Sequence, residues 1–437
     1  MTVSPKARVV LAAGIGNIVE WYDFGLYGLL APVLASAFFP SHDRIAALLG
    51  VYGGFAVGFA MRPIGAIVLG RIGDRRGRQF VLVLSVVIMG ISTVAVGVLP
   101  SYAAIGIWAP ILLIAIRLFQ GFSVGGEFVG SVTYLVETAP ENKRGLAGSV
   151  ANLGATVGML FAAAAGALTE ARLGSIHELW RLPFFFGGLL ALIGFLLRRH
   201  LPPEEEFAHA SAESSVPAES QGNCDSGSLG RLVARWPALQ AFRVIPRTMI
   251  VAILFTCGYG ISNYLTMVFL PTFGREFATI DEGAALTINT SGQALALIVV
   301  PLAGWISDRW IRRRFLIAAA FAAQASLAWV LFALVLKSGV EGLWPAQMLL
   351  AGLLAVVMGT APAMLSEQFP REVRVSGHAL VLNVGIGIAG GTAPMVAVAL
   401  IRASGNKLAP AAYLIAACIV SCVAALLLND HSRDSLR

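Results

Sequence analysis

Charged residues are scarce in this chain. Asp, Glu, Lys and Arg make up 13% of its 437 residues, against roughly 25% in soluble globular domains. Apolar residues make up 57%, and the mean hydropathy is +0.79. A soluble domain is thereby excluded and a multi-pass membrane protein expected. Cysteine is sparse too. Cys224, Cys257, Cys418 and Cys422 show no ligand spacing, so neither a disulfide framework nor a metal site nor a cofactor is expected. The histidines (His42, His177, His200, His209, His378 and His431) fall in loops or near span ends without partners. The nucleophile–base pair or metal cluster of a membrane enzyme is therefore missing. A nucleotide-binding loop is also lacking, which argues against ATP drive, and the absence of repeated filter-lining loops argues against a channel. The net charge of +7 is no nucleic-acid footprint, because the basic residues gather in short loops on one side.

What the chain has in abundance is apolar runs. A helix crossing a bilayer needs about 20 such residues, and twelve runs qualify. They lie near 9–36, 46–69, 80–99, 107–135, 146–169 and 182–199, then near 247–273, 284–306, 315–336, 343–366, 376–401 and 409–428. Lys6 and Arg8 ahead of the first run, with Ala35-Ser36-Ala37 behind it, imitate a signal peptide. The run is too long for one and carries two acids, so cleavage is not expected. Arg71, Arg75, Arg76, Arg78, Lys143, Arg144, Arg198, Arg199, Arg309, Arg312, Arg313, Arg314, Arg371 and Arg374 all fall on the side of the N-terminus, while the opposite loops hold scattered cations such as Arg44, Arg172 and Lys407. The positive-inside rule then puts both termini in the cytoplasm.

Between the sixth and seventh runs the composition changes. Pro202 to Gly230 is rich in Glu, Ser, Ala and Gly and nearly free of large apolar residues, as a disordered linker would be. Leu229 to Trp236 reads as a short amphipathic helix on the membrane surface or as more solvated linker. The domain organisation expected is a six-helix bundle over 1–200, a cytoplasmic linker over 201–246 and a second six-helix bundle over 247–437.

The two halves repeat each other. Gly70-Arg71-Ile72-Gly73-Asp74-Arg75-Arg76-Gly77-Arg78 returns as Gly304-Trp305-Ile306-Ser307-Asp308-Arg309-Trp310-Ile311-Arg312. Glu137-Thr138-Ala139-Pro140 with Arg144 is echoed by Glu367-Gln368-Phe369-Pro370 with Arg374. Signatures recurring at matching places mean an internal duplication, and parallel halves place a binding site between them near the midplane. The first loop resembles the hallmark of the major facilitator superfamily. Further runs resemble its metabolite:proton symporter family: Gly16–Gly28, Met61–Gly65, Gly106–Pro110, Arg117–Glu127, Trp180–Phe184 and Gly390–Pro394. Known members of that family are permeases for α-ketoglutarate, citrate, shikimate, and proline or betaine. The resemblance implies an all-α fold of twelve transmembrane helices in two pseudo-symmetric bundles.

Inside the first run the polar residues Asn17, Glu20, Asp23 and Tyr27 share about a third of the helix circumference. A carboxylate at the centre of a span costs roughly 2.5–3.5 kcal/mol on the insertion scale, so Glu20 and Asp23 need partners or protons. A surface helix would need a broad charged face, and this one has two charges. In the fourth run Arg117, Gln120, Glu127 and Ser131 lie within about 80°, flanked by Gly121, Gly125 and Gly126, which suit close helix packing. Arg117 and Asp23 reach similar depths and resemble the carboxylate–arginine pair of the superfamily's sugar symporters. Glu20, Asp23 and Glu127 against Arg62 and Arg117 leave one negative charge over. A carboxylate held between desolvation and an arginine suits reversible proton carriage. Asp23 is the first choice, Glu20 and Glu127 the next, with fixed ion pairs as the alternative.

Arg62 lies about 12 Å from the nearest span end by helical rise, too deep to snorkel, and suits an ion pair or a substrate carboxylate. The family's carboxylate permeases resemble this chain in having arginine at both the Arg62 and Arg117 positions, whereas its proline/betaine branch has lysine at the second. That likeness leans the substrate toward an organic anion. Arg62, Arg117, Tyr27, Gln120, Tyr259, Asn263, Gln293 and Asn383 form the expected substrate set. The neutral residues of the second half, Thr266, Asn289 and Gln324 among them, suit substrate orientation as a set, and any single one reads first as an interhelical hydrogen bond. Asp74, Arg75, Arg78, Glu137, Arg144, Asp308, Arg309, Glu367 and Arg374 form the expected gate. In it Asp74 caps a helix N-terminus of the second half and Arg75 and Arg78 pair with Glu137; topology alone is the other explanation of those charges.

The expected protein is a proton-coupled importer of a small organic acid, monomeric, in a bacterial-type inner membrane, with the lipid bilayer, the solute and the proton as its partners. A proline/betaine-type solute is the alternative, and a transporter-derived sensor or a cation-driven antiporter are further readings. Deleting about fifteen residues within 202–230 is expected to leave uptake largely intact; loss of folded protein in a detergent melt would show that the segment packs.

Overall fold

The structure is a computed structural model that describes residues 5–39, 42–76, 78–124, 127–173, 178–199, 237–371 and 373–434. Every regular element among them is a helix. The segment expected as a linker lies outside the described residues up to 236, and its last part forms a helix, Pro237–Val244, ahead of the seventh span.

Ten helices are long and apolar enough to cross a membrane, and a pair bent by 64°, Ile15–Leu29 with Ala31–Phe38, makes an eleventh. The fourth span is in two pieces, Trp108–Ser123 and Glu127–Thr138. The order is that of the sequence: span one Pro5–Leu29 with Ala31–Phe38, span two Arg44–Arg76, span three Arg78–Val98, span five Arg144–Leu173 and span six Leu182–Arg199. Span seven is Pro246–Tyr264 continuing to Ala278. Span eight is Glu282–Arg309, span nine Arg313–Ser338, span ten Val340–Glu367, span eleven Arg374–Leu382 continuing to Ser404, and span twelve Ala409–Leu427.

The span ends carry the stop and start chemistry expected of them. Asp281 caps span eight, its carboxylate accepting from the Ala284 N–H, which satisfies a donor that has no partner in the helix. Gly339 (φ 57°) and Gly405 (φ 66°) follow spans nine and eleven in backbone conformations that favour glycine. Apolar side chains cover the outside: Ile91, Phe119, Leu168 and Ile298 are all more than 60% exposed, as lipid-facing residues would be. Span two runs as helix through most of the Gly70–Arg78 signature, to Arg76. Its arginines suit the negative end of the helix dipole, so the signature is a helix end more than a loop.

Without a hydrophobic drive in lipid, helices approach where side chains are small. A Cβ on Gly121 would lie 1.8 Å from the Gly58 carbonyl oxygen, so spans two and four touch backbone to backbone beside Arg117. Gly121 is a packing residue at this point.

Two belts of contacts join the first six spans to the last six. On the side of the chain termini, Asp308 reaches across to cap span five. Its Oδ1 accepts from the Gly145 N–H at 2.7 Å and its Oδ2 from the Leu146 N–H at 2.9 Å. Gly145 and Gly304 make room, since a Cβ on Gly145 would lie 2.6 Å from the Gly304 oxygen. Arg313 pairs with Asp308 at 2.8 Å and also with Glu367, which lies 3.8 Å from Arg144. Glu137 meets Arg374 of span eleven at 2.5 Å, a different partner from the Arg75 and Arg78 expected from the sequence. Arg309 lies over the Trp305 ring at 5.0 Å. The side chains of Asp74, Arg75 and Arg78 lie outside the described ones. On the opposite side Arg44 pairs with Glu276 at 2.6 Å, Asp43 with Arg402 at 3.0 Å, and the Tyr52 hydroxyl donates to Thr272 at 2.9 Å.

Asp308→Asn removes the charge that holds the span-five N-terminus and half of its acceptor pair, a loss of ~1–3 kcal/mol. Labelling of a Met358→Cys probe in the central cavity, in a background lacking native cysteine, is expected to speed up several-fold with a thiol reagent applied from the terminus side. Unchanged labelling would make Asp308 a static cap.

Candidate functional site

A cavity lies between the two halves. The first half contributes Glu20 and Trp21 of span one, Arg62 of span two and Asn152 and Thr156 of span five. The second half contributes Tyr259, Asn263, Gln293, His378 and Asn383. Two of its walls depart from regular α-helix, with π-helical stretches at Leu265–Phe269 in span seven and Asn383–Gly390 in span eleven. Met267, Asn383 and Ile386 of these stretches line the cavity, in keeping with the concentration of π-bulges at functional sites.

The polar stripe of span one divides between two ion pairs. Asp23, 1% exposed, accepts from the Thr93 hydroxyl at 2.6 Å, the Gln120 amide at 2.8 Å and Arg117 Nη1 at 3.1 Å. Arg117, fully buried, also donates to Gln120 Oε1 at 2.5 Å and lies over the Tyr27 ring at 4.2 Å. The Tyr27 hydroxyl donates to the Val51 carbonyl at 3.2 Å. None of Asp23, Arg117, Gln120 and Tyr27 is among the residues that line the cavity. Of the expected substrate set, Arg117, Gln120 and Tyr27 therefore belong to a sealed cluster behind the wall. The reason is pairing: each finds its partner within the first six spans.

The second pair is in the wall itself. Arg62 Nη2 donates to Glu20 Oε1 at 2.9 Å. The guanidinium lies against two neighbouring aromatic rings, 4.5 Å from the Phe24 centroid and 4.4 Å from Phe59, whose own centroids are 4.7 Å apart. Phe59 is in turn packed on Gly391, where a Cβ would fall 2.5 Å from its ring. The Gly390–Pro394 motif so makes room for Phe59. Glu127 opens the second piece of span four, and its side chain lies outside the described ones.

Of the substrate residues expected in the second half, Tyr259, Asn263, Gln293 and Asn383 line the cavity. Asn289 and Gln324 do not; they donate to the carbonyls of Met267 and Leu350, each at 3.0 Å, as interhelical bonds. The reading of the sequence missed Trp21, Asn152, Thr156 and His378. Asn152 and Thr156 are spaced i, i+4 on an apolar span, a weak signal that was available. Asn152 also crosses between the halves, donating to the Met358 carbonyl at 2.5 Å. His378, read as lying near a span end, lines the cavity fully buried, with Ser366 Oγ 3.4 Å from its Nδ1. Its position near the helix start was right; the depth of the cavity there was not visible. No group of three or more His, Cys, Asp or Glu among the described residues is placed to hold a metal ion.

The family model of the Major Facilitator Superfamily matches residues 13–394 and, in a second match, 254–436. A proline/betaine transporter of Salmonella typhimurium is 32% identical over 437 residues, covering 98% of this chain and 85% of that protein. A glycine betaine/proline/ectoine/pipecolic acid transporter of Dickeya dadantii is also 32% identical, over 98% of this chain and 84% of its own length. Among solved structures, a D-xylose-proton symporter superposes with a TM-score of 0.74 at 18% identity, covering 97% of each chain. A xylose transporter of E. coli in a partially occluded inward-open conformation gives 0.67 at 17% identity over 96% of each. At that identity the structures speak for the fold alone. Twelve spans in two six-helix halves, a family model along most of the chain and relatives above 30% identity throughout agree: this multi-pass membrane protein belongs to the Major Facilitator Superfamily.

Proposed function

We propose that this chain is a proton-coupled symporter that imports a small zwitterionic osmolyte of the proline or betaine kind by alternating access. The observation that carries this reading is the Glu20–Arg62 pair in the cavity wall. It presents both signs of charge side by side. A zwitterion offers a carboxylate to Arg62 and a cationic nitrogen to the aromatic faces of Trp21 and Tyr259, and aromatic faces bind quaternary ammonium groups well. Asn152, Asn263, Gln293 and Asn383 supply neutral hydrogen-bonding groups around them. The names of the proline/betaine relatives point the same way.

The organic-anion reading rested on a likeness to carboxylate permeases at Arg62 and Arg117. Arg117 is bound to Asp23 behind the wall, which leaves Arg62 as the one arginine on the cavity among the described residues. A di- or tricarboxylate entering the cavity would meet Glu20, a charge of its own sign, with no surplus of cations to offset it. Residues 1–200 and 247–437 are read as the two bundles that rock about the cavity, and 201–246 as their connector. The protein is read as a monomer in a bacterial-type inner membrane with its termini in the cytoplasm.

In a thermal-shift series on purified protein, proline and glycine betaine are expected to raise the melting temperature, while mono-, di- and tricarboxylates leave it unchanged. Ligand at a hundredfold excess over Kd contributes about 2.7 kcal/mol, enough to read clearly. In proteoliposomes the same solutes are expected to accumulate under an imposed proton gradient. Stabilisation by carboxylates alone would overturn the substrate assignment, and binding without accumulation would make the protein a sensor.

Arg62→Lys keeps the charge but loses the planar group that lies against the Phe24 and Phe59 rings. Uptake is expected to fall by tenfold or more, ~1.4 kcal/mol, with most of the loss in substrate affinity. Near-normal affinity and rate would reduce Arg62 to an anchor of span two.

A further inference from the structure

We propose that Glu20, and not Asp23, carries the coupled proton, and that the substrate drives its protonation by taking Arg62 from it. The inference rests on the reading of this cavity as a solute site.

The two carboxylates of span one differ in what surrounds them. Asp23 accepts hydrogen bonds from three side chains, Thr93, Gln120 and Arg117, and lies with them behind the cavity wall. Protonating it means separating a sealed ion pair, and leaving one partner of such a pair uncompensated is strongly destabilising. Glu20 lies on the cavity, 6% exposed, with Arg62 Nη2 at 2.9 Å. Water and solute that enter the cavity reach Glu20 before Asp23.

Arg62 is the fixed member of its pair. Phe24 and Phe59, themselves packed together, both lie against the guanidinium, and Gly391 backs Phe59. Phe24 and Phe59 are thus positioning residues that keep Arg62 directed at the cavity whichever carboxylate it holds. A substrate carboxylate that docks there competes with Glu20 for the same guanidinium. Two carboxylates at one cation repel each other, and a proton on one of them relieves the repulsion. Glu20 is the one open to water in the cavity.

The step balances. Before binding the wall holds Arg62 as a cation and Glu20 as a carboxylate. Afterwards Arg62 holds the substrate carboxylate, Glu20 has gained one proton from water, and the substrate's cationic nitrogen lies on the faces of Trp21 and Tyr259. When the substrate leaves on the other side, Arg62 recaptures Glu20 and the proton departs there. One solute and one proton cross together.

The other titratable groups near Glu20 are few. Span seven brings Tyr259 to the cavity and Tyr264 beside Trp21, span eleven brings His378, and span one itself carries Asp23, one turn on, with its Arg117. The cavity-lining residues of span five, Asn152, Ala155, Thr156 and Met159, do not titrate, and span six lines no part of it. Glu127 of span four has a side chain outside the described ones.

The test is the proton balance of binding, with proline and glycine betaine as probes and purified protein in weak buffer with a pH indicator. Wild type is expected to take up one proton per substrate bound. Its Kd is then expected to weaken tenfold per pH unit across the range in which displacement changes the protonation of Glu20. In Glu20→Gln both the proton uptake and the slope are expected to vanish while binding persists; in Asp23→Asn both are expected to remain. The reverse pattern would overturn the proposal. A second measurement uses unmutated protein. The protonated-carboxyl infrared band that substrate induces is expected to shift with ¹³C-glutamate labelling and not with ¹³C-aspartate, and the opposite result would again overturn the proposal. Should wild type bind neither zwitterion but bind a carboxylate from the thermal-shift series, the substrate assignment fails. The same two measurements with that acid still decide whether Glu20 is protonated by competition at Arg62.

Discussion

An arginine cannot lie bare inside a membrane protein, and much of this molecule follows from how two of them are neutralised. Burying a guanidinium is expensive unless a carboxylate and further hydrogen bonds compensate it. The first half answers twice with one helix. Asp23 and Glu20, nearly a turn apart on span one, take Arg117 of span four and Arg62 of span two. These pairs, with the glycine contact between spans two and four, tie spans one, two and four together. The surrounding aromatic rings, Phe24, Tyr27 and Phe59, serve both as core and as faces on which the guanidinium groups lie.

The two pairs resemble each other chemically, but packing gives them different work. One is closed off by Thr93, Gln120 and Tyr27; the other faces the space between the halves. A sealed pair holds a bundle together, whereas a pair in a cavity wall can exchange partners with whatever enters. The second half faces that space with neutral amides, a phenol and a buried imidazole, and with two π-helical stretches that interrupt the regular backbone bonding near the ligand space. Charge on one side and neutral hydrogen-bonding groups on the other suit a cavity where the first half handles ions and the second orients a solute.

The belts at the two ends complete this picture. Each joins the halves through ion pairs and hydrogen bonds between polar groups, with a carboxylate capping a helix N-terminus at one end and a tyrosine–threonine contact at the other. Such polar contacts, several of them charged, contribute about 1.5–3 kcal/mol each. Two polar belts on either side of a cavity are what a machine needs if it opens at one end while closed at the other.

Much of this was legible in the chain. Hydropathy determined the twelve spans, because a helix that meets lipid must be apolar over its full length. Duplicated signatures determined the two halves. Depth and helical face brought Asp23 to Arg117, since a midplane charge has few partners at its own level. What the sequence could not determine was which side of a helix faces the cavity and which faces a neighbour. Tyr27 shares a polar stripe with Glu20, and Arg117 and Gln120 share one with Glu127, yet all three lie behind the wall, because helix rotation and tilt are decided by contacts such as Gly58 with Gly121. Glu137 pairs with Arg374 across the halves because the two bundles meet at that edge, a fact absent from either half alone. The chain determined the charges and their depths through local chemistry. The tertiary structure alone decided which of them line the cavity, because that depends on how neighbouring helices pack.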